Sequence, residues 1–249
     1  MSSTKISLML STMAGLSTLI GYLFIYIKCD KDRIISKTLG FACGVMATVS
    51  ITDLIPNSLI LIKNQFNIVY TFILIIAGFL IGIILSNMID TKVEKKSKTG
   101  LNLYKLGIIS MLVIMMHNIP EGIVTYITSK QNISLGITLC IAIALHNIPE
   151  GISISIPIYY STGSKLKAFI YTFISGISEP IGALISYLFL SKYVNNIVLG
   201  IIYSIIAGMM VNIAINELYK EAKNYNKINT IKYIIIGSII MIINHLLFN

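Results

Sequence analysis

One heptapeptide, His117-Asn118-Ile119-Pro120-Glu121-Gly122-Ile123, recurs letter for letter as His146-Asn147-Ile148-Pro149-Glu150-Gly151-Ile152, and each copy lies midway along an apolar run long enough to cross a bilayer. A carboxylate at the centre of a spanning helix costs roughly 3 kcal/mol, so two identical sets of His, Asn and Glu mark a functional site or a heavily paired core. Residues four apart share a helix face, which sets His117 beside Glu121 and His146 beside Glu150, a bidentate metal clip made twice. Each copy also holds a proline, which has no N–H and leaves the carbonyl of Met116 or Leu145 without its helical partner. The sequence therefore predicts a locally opened helix at each clip.

Around the repeat the chain is almost wholly apolar. Of 249 residues 55% are hydrophobic and the mean hydropathy is +0.84, values outside the range of soluble domains. The expected fold class is all-α, a polytopic membrane protein of one transmembrane domain with eight spans: about 6–27, 38–62, 67–89, 106–127, 133–158, 166–190, 196–219 and 231–248. The first run is read as a retained span, because its 22 residues exceed the apolar region of a signal peptide. Gly40 and Gly44 in span 2, and Gly78 and Gly82 in span 3, have the spacing that lets helix backbones approach closely. The lysine-rich segment 90–105 reads as a disordered cytoplasmic linker.

A net charge of +9 would suit nucleic acid, but the positions of the basic residues argue against it. Fifteen Lys and Arg fall in the loops after spans 1, 3, 5 and 7, and four, Lys5, Lys63, Lys130 and Lys192, on the other side. By the positive-inside rule the crowded loops are cytoplasmic and both termini lie outside. The expected partners are the lipid bilayer and an ion, not nucleic acid. The Ile-, Lys- and Asn-rich composition hints at an AT-rich bacterial genome and so at the plasma membrane.

Five of the ten acidic residues lie within the spans: Asp53, Glu121, Glu150, Glu179 and Glu217. No span carries Lys or Arg near its centre, so these carboxylates must be protonated, hydrated or neutralised from outside, and a divalent cation fits best. Imidazole, carboxylate and Asn carbonyl together suit zinc, ferrous iron, manganese or cobalt; magnesium and calcium favour oxygen alone. Cys29, Cys43 and Cys140 are scattered and supply no thiolate set. The topology lays out a route, with Asp53 gathering the cation in the outer half of span 2, the clips holding it at mid-membrane and Glu217 handing it on at the cytoplasmic end of span 7. His245, near the outer end of span 8, reads as an interfacial histidine without a partner. The chief alternative is an intramembrane metal-dependent hydrolase, which HExxH or GxSxG would favour; neither occurs. GxxxxGK[ST] is also missing, so this chain has no ATP-driven motor of that type and no organic cofactor is called for.

The doubled HNIPEG, Ser178-Glu179-Pro180 in span 6, the acid before Pro56 in span 2 and Gly208-Met209-Met210-Val211-Asn212-Ile213-Ala214-Ile215-Asn216-Glu217-Leu218 in span 7 resemble the ZIP family of zinc and iron transporters, especially its bacterial zinc-transporter branch. The match spans essentially the whole chain. The resemblance implies a ZIP-like bundle with a two-metal site between spans 4 and 5. One position would use His117, Glu121, His146 and Glu150, the other Asn118, Glu121, Asn147, Glu150 and Glu179. It also implies inward movement of zinc, or of iron, manganese, cobalt or cadmium, without ATP, by alternating access or an elevator-like motion, commonly as a homodimer. This chain departs from the pattern in three places: segment 90–105 has no His, Asn147 stands where some relatives carry Asp, and Asn216-Glu217 stands where many have an acid pair or His-Glu.

Overall fold

The structure is a computed structural model that describes residues 3–96, 102–190 and 195–248. Among these residues there are helices and no strands. In chain order they are α1 (Ser3–Leu16), α2 (Thr18–Tyr22), α3 (Lys31–Val49), α4 (Ile55–Lys63), α5 (Ile68–Lys96), α6 (Asn102–Gln131), α7 (Ile133–Thr162), α8 (Lys165–Ile185), α9 (Asn196–Ile213) and α10 (Lys220–Phe248). Three wide, π-type turns interrupt or extend them, at Ser50–Leu54, Ser186–Leu190 and Ala214–Tyr219.

Helix starts are set by polar caps that satisfy first-turn N–H groups: Asp30 accepts from Asp32 and Arg33, Asn132 from Ser134 and Leu135, Ser164 from Lys167, and Asn195 from Val198. Asn132 is the single residue between α6 and α7, so the two heptapeptides are folded back against each other by a very short link. Gly163 ends α7 at φ 66°, a left-handed conformation that a side chain disfavours, and starts the return into α8.

Seven helical stretches are long and apolar enough to cross a membrane: Ser3–Tyr26, Lys31–Lys63, Ile68–Ile89, Leu103–Gln131, Ile133–Thr162, Lys165–Phe189 and Asn196–Leu247. The chain is a multi-pass membrane protein, with apolar side chains turned outward; Phe72, Ile76, Leu80 and Ile84 make an exposed stripe along α5. Where loops were expected, the backbone is more helical. Helix α5 continues to Lys96 and α6 begins at Asn102, so of the expected 90–105 linker only 97–101 lies outside the described residues. Residues 220–230 are helical too, except Asn226, whose extended backbone (φ −163°, ψ 105°) breaks α10.

The helices sort into two bundles. The first comprises α1, α2, α6, α7 and α8, and the second α3, α4, α5, α9 and α10. Close backbone approaches hold each together. In the first bundle a Cβ at Gly122 would strike the Glu179 carbonyl, and one at Gly151 the Thr18 carbonyl. In the second, Gly40 and Gly44 lie on Thr230 and Ile234, and Gly78 and Gly82 on Ser204 and Ile205, as their spacing predicts. Among the described residues, every glycine that meets a neighbour meets one in its own bundle.

Contacts also give directions. Cys43 Sγ donates to Ala214 O and Ser58 Oγ to Gly200 O, so α3 and α4 run opposite to α9. Gly40 and Gly44 match Thr230 and Ile234 in ascending order, so α10 runs with α3 and hence against α9. The chain reverses within α10, where Asn226 breaks the helix, so it is the part of α10 after Asn226 that runs with α3. Part of the seam between bundles is packed by apolar side chains, with Ile109, Val113, Ile152 and Ile156 in one core with Leu39, Val49, Ile206 and Met210.

Candidate metal centre

Helices α6 and α7 bring the two heptapeptides together in the core of the first bundle. His117, Asn118, Glu121, His146, Asn147 and Glu150 are all buried, and Glu179 joins them from α8. His117 Nε2 lies 3.1 Å from Glu121 Oε1, as the helical spacing predicts. The other clip is crossed: His146 Nε2 meets Glu121 Oε1 at 3.1 Å, and Glu150 Oε1 lies 3.5 Å from His117 Nε2. His146 and Glu150 still share a face of α7, but the contact His146 makes is with Glu121 across the helix pair. Both imidazoles converge on one carboxylate because antiparallel helices joined by a single residue put them at the same level, with ring centroids 6.2 Å apart.

These separations have a chemical meaning. Ligand atoms about 2.0 Å from a tetrahedral zinc ion stand roughly 3.3 Å from one another. The observed 3.1, 3.1 and 3.5 Å are edges of that size. His117, Glu121 and His146 each offer a ligand atom, and all three atoms lie within 4.8 Å of one another. Many of the polar atoms here make no hydrogen bond, His117 Nε2 and Glu150 Oε1 having ion-pair contacts alone: both ring nitrogens of His117, both oxygens of Glu150, Glu121 Oε2, Glu179 Oε1, Asn118 Oδ1, Asn147 Oδ1 and Ser175 Oγ. Each such buried group costs about 1–3 kcal/mol unless something satisfies it, and nine in one place fit a cation with its residual water.

The amides are held from behind. Asn118 Nδ2 donates to Ser175 O at 3.0 Å, and Asn147 Nδ2 to both Ala14 O and Glu179 Oε2, each at 3.0 Å. Ser11 Oγ donates to the backbone carbonyl of Glu179 at 3.3 Å. The helices do not open at the prolines as expected. Residues 102–131 and 133–162 run as continuous α-helix through Pro120 and Pro149, and the prolines are absorbed without a change of helix type.

The backbone instead widens at the two acids assigned to the route. Asp53 sits in the turn Ser50–Leu54 just ahead of Pro56, and Glu217 in the turn Ala214–Tyr219; both are half-buried. A proline two residues into α4 cannot donate back to the preceding turn, and a wide turn absorbs that loss. A cavity of about 60 Å³ joins Asp53 and Asn57 to Glu121 and His146, with Tyr203 and Asn244 in its wall. It shares Asn57 and Tyr203 with a larger cavity of about 460 Å³, which reaches Gln131 and Asn196 at one end of the bundle. Glu217 lines neither cavity; nearby, Asn216 Nδ2 donates to Asn212 Oδ1 at 2.7 Å.

His245 is not the partnerless histidine expected from its position: its Nδ1 lies 2.6 Å from Asp53 Oδ1. Asn57 could have been found, since it lies one turn beyond Asp53. His245, Asn244 and Tyr203 carried no local signal, because each reaches the passage only through helix packing.

Carboxylates and imidazoles converging in the core of a multi-pass helical bundle, with a cavity joining them to Asp53 and Asn57, define an integral membrane protein with a candidate metal-ion centre. Comparison with known proteins gives the family. The model of the ZIP zinc transporter family matches residues 90–245. The chain is 39% identical to the zinc transporter ZupT of Streptococcus mutans over 96% of both chains, and 37% identical to that of Campylobacter jejuni over 95% of this chain and 94% of that one. It is 35% identical to the zinc transporter ZupT of Clostridium perfringens, covering 100% of this chain and 98% of the relative. The chain belongs to the ZIP zinc transporter family.

Proposed function

We propose that this protein carries zinc, or another divalent transition metal such as ferrous iron, manganese, cobalt or cadmium, across the bilayer into the cytoplasm without ATP. In this reading the ion rests between His117, Glu121, His146 and Glu150, with Asn118, Asn147 and Glu179 beside it. The observation that carries the proposal is the convergence of nine buried polar atoms that make no hydrogen bond, in a core where the ion-pair partners found for Glu121 and Glu150 among the described residues are histidines. A cation supplies the charge that the protein withholds. Asp53 is the collecting acid at the outer mouth, and Glu217 the acid at the exit. The matched relatives are named zinc transporters, and the hydrolytic alternative has no support.

Eight crossings fit best. The stretch Asn196–Leu247 has 52 residues, roughly 78 Å as a helix, more than twice the ~30 Å hydrocarbon layer. The reversal at Asn226 divides it into two. With eight crossings the fifteen-to-four partition of basic residues puts both termini outside the plasma membrane. Glycine contacts confined to each bundle and a seam between them that is in part apolar support movement of one bundle past the other, the elevator-like motion that the family resemblance implies together with a homodimer. Uptake of radiolabelled zinc into proteoliposomes tests the reading. Saturable uptake without ATP, competed by other divalent transition metals, is expected; uptake no greater than in protein-free vesicles would refute it.

A further inference from the structure

We propose that Asn57 and Tyr203 form a dehydration filter, a neck at which an entering ion exchanges bound water for their side-chain oxygens before it reaches the centre. The proposal rests on reading the chain as a metal carrier and names the step at which a hydrated ion is admitted or refused.

The two cavities that lead to the centre differ greatly in size. The outer one, of about 460 Å³, has room for an ion with its complete shell, since six waters at ~30 Å³ each fill roughly 180 Å³. The inner one, bounded by Asp53, Glu121 and His146, measures about 60 Å³ and holds roughly two waters. An ion that moves from one to the other leaves about four waters behind. That loss falls at the neck the cavities share, made of Asn57, Val124, Leu139, Ala142 and Tyr203.

The neck has two unlike halves. Val124 on α6 and Leu139 and Ala142 on α7 belong to the first bundle, and their side chains are hydrocarbon only. Asn57 on α4 and Tyr203 on α9 belong to the second, and they carry the side-chain oxygens of the neck. Tyr203 is only 8% exposed, and it sits in the apolar core with Ile206 and Met210. Among the described residues its hydroxyl finds no hydrogen-bond partner, nor does the Asn57 amide. A phenol set so deep normally keeps a partner for its O–H, so the partner here is whatever occupies the cavities. Oxygens fixed at a constriction take the place of waters that an ion gives up. Asp53, one helical turn before Asn57, supplies the charge that draws the ion through.

Selection follows from the same geometry. Magnesium demands an octahedral shell and sheds water reluctantly, so it is held in the outer cavity. Zinc settles for four ligands and pays less to enter the smaller space. Ions are thus sorted by hydration before the imidazoles and carboxylates of the centre are reached.

Two measurements test this. Radiolabelled zinc uptake into proteoliposomes, at zinc concentrations well below half-saturation, reads the entry step; zinc affinity of the protein in detergent reads the centre alone. Tyr203→Phe, which keeps the ring and loses the oxygen, is expected to lower uptake about tenfold, with zinc affinity and melting temperature as in the wild type. Asn57→Ala, at an exposed position, is expected to lower it severalfold. Tyr203→Ala widens the neck, so a large excess of magnesium chloride, without effect on the wild type, is expected at least to halve zinc uptake by this variant. Uptake at the wild-type rate by both Tyr203→Phe and Asn57→Ala would overturn the proposal, as would magnesium block of the wild type or a folded Tyr203→Ala protein indifferent to magnesium. A fall in zinc affinity equal to the fall in uptake would place Tyr203 at the centre and overturn the filter as well. Should Tyr203→Ala fail to fold, the other two variants decide. A wild type that carries no zinc overturns the transport reading itself and this proposal with it.

Discussion

The two bundles handle polar groups and prolines in opposite ways. The bundle of α1, α2, α6, α7 and α8 buries its His, Glu and Asn side chains on regular helices, and four of the five prolines, Pro120, Pro149, Pro157 and Pro180, lie within them. The bundle of α3, α4, α5, α9 and α10 has one proline, Pro56, and departs from α geometry at Ser50–Leu54 and Ala214–Tyr219, where Asp53 and Glu217 are half-buried. Ligands that must keep separations of 3.1–3.5 Å sit on rigid helices. Asp53 and Glu217, proposed to receive and release the ion, sit on turns whose backbone is already widened. In the proposed reading one bundle holds the ion and the other shapes its approach.

A cross-link between the bundles attacks this division most strongly. Val45 on α3 and Leu145 on α7 line one cavity across the seam. With Cys29, Cys43 and Cys140 replaced by serine or alanine, joining cysteines at 45 and 145 with a short bifunctional reagent is expected to abolish zinc uptake. A link between cysteines at 86 and 212, which are bridged within the second bundle by a 3.0 Å hydrogen bond, is expected to leave most of it. Full uptake with a complete cross-seam link would show that the bundles need not move apart.

Next in size is the effect of thickening a backbone contact. Gly122→Leu pushes a side chain into the Glu179 carbonyl, and Gly44→Leu does the same against Ile234. Each is expected to destabilise by about 3 kcal/mol, the upper part of the usual overpacking range, because main chain moves less readily than a side chain. Thermal melting in detergent measures it. A melting temperature unchanged by either substitution would mean that the bundle concerned is not locked by its glycines.

The smallest effects belong to the mouth. Asp53→Asn is expected to raise the zinc concentration for half-maximal uptake severalfold, and His245→Ala to raise it less, with the maximal rate kept in both. A fall in maximal rate at unchanged half-saturation would instead give Asp53 a part in the moving step.

Much of this was written locally in the chain. The repeated heptapeptide, its depth in apolar runs and the five acids placed within the spans needed only helical spacing and the cost of burying charge. The crossing of the clips was not legible, because it depends on how α6 and α7 are set against each other, and that follows from the single-residue link at Asn132. Neither was the pairing of Asp53 with His245, 192 residues away, since periodicity says which face a side chain takes but not which distant helix it meets. The prolines pointed to the wrong place: the sequence marked Pro120 and Pro149 as breaks, whereas the packed structure keeps those helices regular and widens the turn before Pro56 instead.

The most direct test is zinc flux through reconstituted vesicles containing equal amounts of folded wild-type protein and of the Glu121→Gln, Glu150→Gln double variant. The side chains keep their size and lose the charge that the ion must balance. Uptake by the wild type with a double variant at the level of empty vesicles is the predicted result. A double variant that fills vesicles as fast as the wild type would contradict it.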